Sequence, residues 1–189
     1  MKTIKENLIN EITINKSRFI TEIIKIDNTE NIEQELKKIK NKYKDATHYC
    51  YAYIIDNNKK CSDDKEPSGT AGVPIMDTLE KYNLNNILCV VTRYFGGIKL
   101  GAGGLIRAYR RSVSETLTNQ KLNTLIDGYE LIIEVPYDKQ KNIESLLKNN
   151  YTKEYKENVI YKIDCDKETK EILEKEYNLN NIKEKTIEV

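Results

Sequence analysis

Tryptophan is absent from the 189-residue chain, phenylalanine occurs twice, proline three times and histidine once, as His48. One imidazole, and four cysteines (50, 61, 89 and 165) with no CxxC spacing among them, argue against a structural zinc site and a disulfide framework. Cys50 and Cys89 stand inside apolar runs and read as small buried hydrophobes. The longest uninterrupted apolar run, Tyr49 to Ile55, has seven residues; a membrane-spanning helix needs about 20. The opening MKTIKENLIN is polar and charged where a secretory leader would be apolar. A soluble, cytoplasmic protein with no membrane partner is the expectation. Hydrophobic residues at 39% and charged residues at 32% exclude collagenous and wholly disordered chains and suffice for one full core or two small ones.

The net charge of +1 hides a division. Residues 1–125 carry 20 bases and 15 acids, and residues 126–189 carry 11 bases and 15 acids, so a polyanion would meet the first part. Lysine outnumbers arginine 26 to 5, in a chain rich in isoleucine and asparagine, a skew expected of AT-rich coding. Against it, four of the five arginines lie between 93 and 111 and seven of the eight glycines between 69 and 104. Guanidinium groups and special backbone angles have been kept in that segment.

Hydrophobic periodicity predicts strands over 4–14 and 18–26 joined at Asn15-Lys16-Ser17, then a helix capped by Thr29 with Ile32, Leu36, Ile39 and Tyr43 on one face. A strand over 48–56, a polar loop, a helix over 72–82 with Val73, Met76 and Leu79 inward, and a strand over 86–94 follow. The next helix, 105–120, places Ile106, Tyr109, Val113 and Leu117 inward and leaves Arg107, Arg111 and Ser114 outward, with Arg110 at the border. After Asp127-Gly128 come a strand (129–135), a helix (138–149), two strands (151–156 and 158–164), a helix (166–177) and a strand (182–188). That is the βαββαβ order of a ferredoxin-like domain. An α+β protein is expected, with a domain over 1–125 and a second over 126–189.

From Lys81 to Ser114 there are six basic side chains, Lys81, Arg93, Lys99, Arg107, Arg110 and Arg111, and no carboxylate. A glycine loop inside this stretch leaves a strand and opens a helix, where unpaired N–H groups and the helix dipole favour an anion. Known nucleotide motifs fail: Ala102 follows Gly101 where a Walker loop needs lysine, and Ile106 stands where a dinucleotide fingerprint needs a small residue. The expected anion or nucleic-acid site is Arg93, Gly96, Gly97, Lys99, Gly101, Gly103, Gly104, Arg107, Arg110 and Arg111. The plainer alternative is that the glycines only permit a tight turn.

A second group of residues supports an alternative, an enzyme acting on a small phosphorylated metabolite. The SDDKE loop offers Asp63, Asp64 and Glu66 to a magnesium ion bearing phosphate oxygens. A solvated Asp turn, or a counter-charge for Arg107, Arg110 and Arg111, is the favoured reading of the same residues. Ser68 and Thr70 are expected to cap the following helix. His48 and Cys50 share a strand face, but no third group is evident to orient the imidazole, so His48 reads as a core or edge histidine.

The runs ATHYCYAY, SDDKEPSGTAGVPI and VVTRYFGGIKLGAGGLIRAY, in this order over 46–109, resemble the YigZ/IMPACT family, and KSRFI at 16–20 fits its opening. Lys65 departs from the pattern, which has glycine there. The resemblance implies an N-terminal α/β sandwich like a domain of a small-subunit ribosomal protein, followed by a ferredoxin-like domain; both are similar to consecutive domains of the translocating elongation factor. Eukaryotic relatives regulate translation through an additional domain, so that mechanism does not carry over. Some relatives are labelled proline dipeptidases, which a chain with one histidine and no metal-ligand set does not support. The expectation is a translation-associated protein that binds RNA or the ribosome without a cofactor, with a purely protein-binding regulator as a further alternative.

Overall fold

Two-residue alternation along the strands sets the layers. In the computed structural model, which describes residues 1–147 and 150–189, the chain begins with β1 (Lys2–Ile4), β2 (Leu8–Ile14), β3 (Ser17–Lys25) and α1 (Ile32–Lys42). It continues through β4 (His48–Ile55), β5 (Asn58–Ser62), α2 (Gly72–Lys81), β6 (Ile87–Tyr94) and α3 (Gly101–Leu117). The antiparallel sheet has the order β2-β3-β6-β4-β5. Phe19, Ile23, Cys50, Ala52, Cys89 and Val91 line one face and pack against Leu79 of α2 and Tyr109 and Val113 of α3. Their sequence neighbours Ile24, Ile55, Leu88 and Val90 line the other face and pack against Ile32 and Ile39 of α1. Because β6 is buried at its first seven positions, both faces need a helical cover, and each has one.

The remaining elements are β7 (Leu122–Val135), α4 (Gln140–Leu146), β8 (Tyr151–Tyr155), β9 (Val159–Cys165), α5 (Lys167–Glu176) and β10 (Leu179–Glu188). The chain divides into two compact units, Met1–Thr124 and Leu125–Val189. The first three residues of β7 pair with β1 inside the first unit. In the second unit the strands lie in the order β10-β7-β9-β8, all neighbours antiparallel, over a core that includes Leu131, Ile133, Ile143, Tyr161 and Leu173. This βαββαβ arrangement is ferredoxin-like, and the whole is α+β.

Several expected elements differ in detail. The strand expected over 4–14 is two, β1 and β2, and the polar stretch after β4 contains β5, which hairpin pairing holds despite its polarity. Asn15 and Lys16 both take positive φ, as a two-residue hairpin turn between β2 and β3 requires. Asn28, not Thr29, caps the first turn by accepting from Glu30 N. Leu79 faces inward from α2 as expected and Met76 packs partly buried against the core, but Val73 is 47% exposed and Ile75 and Thr78 join the buried side. Helix α3 begins at Gly101, so half of the expected glycine loop is helix; its buried side includes Leu105, Ala108 and Ser112, while Ile106 is only half-buried. The helix expected over 138–149 opens with a 3-10 turn and is α-helical over Gln140–Leu146, and its last two positions, 148 and 149, lie outside the described residues.

Candidate nucleic-acid interface

Arg93 lies on β6 with the parity of Cys89 and Val91, so its side chain enters the layer between sheet and helices. It is not a surface cation. Its side chain is 5% exposed and pairs with Glu66, itself 3% exposed, through Nη1 to Oε1 at 2.6 Å. Nη2 also donates to Ser17 Oγ at 3.3 Å, and Tyr109 donates its hydroxyl proton to the same Glu66 Oε1 at 2.9 Å. The expected counter-charge from the acidic loop therefore exists, but it serves Arg93 rather than Arg107, Arg110 or Arg111. Removing one member of such a buried pair leaves an uncompensated charge, at a cost of about 3–5 kcal/mol.

The other acidic side chains of the loop hold backbone. Asp63 accepts N–H groups from Gly69 (2.8 Å), Ala71 (3.0 Å) and Gly72 (2.8 Å), and so caps α2 in place of Ser68 and Thr70. Burial pushes its carboxyl pKa up, yet the three N–H groups outweigh it and hold the group below the ordinary carboxylate range. Asp64 Oδ2 accepts from Tyr49 N at 2.7 Å. Ser68 is exposed, and the Thr70 hydroxyl donates to the Pro67 carbonyl at 2.7 Å. Asp63 thus spends both oxygens on N–H groups, and among the described residues no three His, Cys, Asp or Glu stand together as metal ligands. Lys65 adopts φ +69°, so the left-handed loop geometry persists without the family's glycine.

His48 has the orienting group that sequence did not reveal: its Nδ1 stands 2.8 Å from the Asp64 carbonyl. Cys50 beside it is no nucleophile. Its thiol donates to the Asp63 carbonyl at 3.0 Å, and burial pushes its pKa up to about 12.

The glycine segment divides by function. A Cβ on Gly96 would fall 2.0 Å from the Lys16 carbonyl carbon, so the β2–β3 turn packs directly on this backbone; Gly97 and Gly101 take φ +83° and +69°. These three glycines are structural. Gly104 faces Leu100, whereas a Cβ on Gly103 would meet only Arg107 Nη1, at 3.4 Å. The first turn of α3 carries neither a side-chain cap nor an acid.

Four of the six bases converge. Arg107, Arg110, Arg111 and Ser114 recur at helical spacing on α3 and, with Asp77, Thr78, Lys81 and Tyr82 of α2, line a groove of about 530 Å³. Arg110 pairs with Asp77 and Arg111 with Glu115, each at 2.6 Å, but all four side chains are more than 40% exposed. Such pairs are worth about 0–1 kcal/mol and yield to a competing anion. Among the described residues Lys81, Lys99 and Arg107 have no ionic partner. Lys81, absent from the expected site, was legible in the acid-free stretch. Lys99 lines a separate pocket with His48, Glu66, Arg93 and Phe95.

Residues 15–117 match the family described as Impact N-terminal domain, and the chain belongs to that family. The IMPACT family member YvyE of Bacillus subtilis is 52% identical over 120 residues, 62% of this chain and 55% of that protein. The IMPACT family member YigZ of Escherichia coli is 37% identical, over 71% of this chain and 68% of its own. A solved structure described as the crystal structure of a hypothetical protein covers 94% of this chain and 95% of its own, with TM-score 0.68 and 27% identity. No helix of the described residues is long and apolar enough to cross a membrane.

Proposed function

We propose that this protein binds the phosphate backbone of RNA through the groove between α2 and α3, in the setting of translation in the cytoplasm. The observation that carries the reading is the convergence of Lys81, Arg107, Arg110 and Arg111 on one concave surface opposed there by Asp77. Cations spaced along two helices neutralise successive phosphates, which gives affinity without sequence selection. Membership of the IMPACT family, whose eukaryotic members regulate translation, supports the setting. No cofactor is needed for such binding. An assembled ribosome presents the same backbone, so ribosomal RNA is the natural partner.

The test is the salt dependence of binding to a single-stranded RNA. Each phosphate contact adds about 0.7 to the slope of log affinity against log salt. Replacing Lys81 and Arg107 by alanine, the two groove cations without an ionic partner, is expected to flatten the slope by about 1.4. An unchanged slope in the double variant, with its folding intact by circular dichroism, rejects the groove.

A further inference from the structure

Glu66 accepts both of its hydrogen bonds, from Arg93 and Tyr109, at Oε1. Among the described residues its Oε2 accepts none, although the side chain is only 3% exposed; His48 Nε2 stands 3.8 Å from it. A carbonyl oxygen can only accept, so the 2.8 Å contact between His48 Nδ1 and the Asp64 carbonyl puts a proton on Nδ1. In the neutral ring Nε2 is then a bare lone pair. Two acceptors thus stand 3.8 Å apart in the wall of a pocket of about 450 Å³. An acceptor that opens onto a pocket without a protein donor is available to a ligand, and a pair at this spacing suits two adjacent hydroxyls that donate one proton each.

The rest of the pocket has complementary chemistry. Phe95, whose ring centroid lies 5.6 Å from the Arg93 guanidinium carbon, is 46% exposed and offers that exposed surface to a planar ring, whereas its neighbour Tyr94 holds the Lys44 carbonyl and lies under Arg18. Lys99 and the uncapped start of α3, at Gly101, offer a positive charge and unpaired N–H groups to a phosphate. Arg93 already compensates the charge of Glu66, so the pocket is left with the surplus of Lys99.

We infer that this pocket receives the terminal nucleoside of an RNA or a free ribonucleotide, its vicinal 2′- and 3′-hydroxyls donating to Glu66 Oε2 and His48 Nε2, its base on Phe95 and its phosphate near Lys99. The assignment to an RNA terminus rests on the groove reading; the recognition of the diol does not. The volume is within the range of small-molecule sites.

Binding of a short 5′-labelled oligoribonucleotide, followed by fluorescence anisotropy, tests it against the same strand after periodate cleavage of its terminal diol. The intact end is expected to bind about ten-fold tighter, the effect of one to two hydrogen bonds. His48→Phe, which removes the second acceptor, is expected to reduce that ratio. Phe95→Ala, with its folding verified by circular dichroism, is expected to weaken the intact strand about ten-fold. Equal binding of intact and oxidised strands by the wild type, or an unaltered affinity in Phe95→Ala, overturns the inference. Adenosine 5′-monophosphate separates the sources: competition at the strand's own affinity assigns a free nucleotide, and much weaker competition assigns the RNA end. The two readings fail apart. A flattened salt slope in the groove variant without a diol preference removes only the pocket, and a diol preference without a slope change removes only the groove.

Discussion

Lys65 and Arg93 show how a single residue's backbone or parity outweighs its type. Lys65 holds φ +69°, a region that costs an L-residue about 1 kcal/mol and glycine little. Lys65→Gly is therefore expected to raise stability by up to about 1 kcal/mol, the gain tempered by the entropy of glycine in the unfolded chain. Urea denaturation measures it, and a loss of stability would mean that the lysine side chain makes contacts that matter more than its backbone angle. Arg93 is an arginine in a basic stretch, which suggested a surface cation. Its place on β6, two residues from Val91 and four from Cys89, puts it instead with the buried face. The alternation was legible in the sequence; the carboxylate that makes burial tolerable, Glu66 from 27 residues away in the chain, was not.

Elements were read well where apolar periodicity was strong and poorly where hydrogen bonding alone decided. The core faces of β3, β4 and β6 and the basic stripe of α3 follow from spacing. Strand β5 did not, because Asn58, Lys59 and Lys60 are exposed and only their pairing with β4 orders them. The start of α2 is the same case: its N-terminal N–H groups are met by Asp63, nine residues before Gly72. Asp63 has a depressed carboxyl pKa, so its contribution is present above the unfolded value of about 4 and is lost as the pH falls through the lower folded one. Asp63→Ala is expected to cost about 2 kcal/mol at neutral pH and less in acid. Thermal melts across the acidic range check this, and a cost that stays constant down to the lowest pH contradicts the assignment.

At the scale of the whole molecule the charge is divided, with the basic excess in residues 1–125 and the acidic excess in 126–189. An excess of acid disfavours a polyanion and an excess of base favours one. Ultraviolet crosslinking of bound RNA, mapped by mass spectrometry, is expected to mark peptides from 72–117 and none from 125–189; crosslinks concentrated in the second unit would contradict the interface. The sequence by itself determined the α+β class, the two-part organisation and the family, because hydrophobic periodicity and glycine-dependent backbone angles are local properties written along the chain. Tertiary structure decided which cations are free. Charge acts through space, and Glu66, Asp77 and Glu115 reach their arginines only after the sheet and helices bring distant or helically spaced positions together.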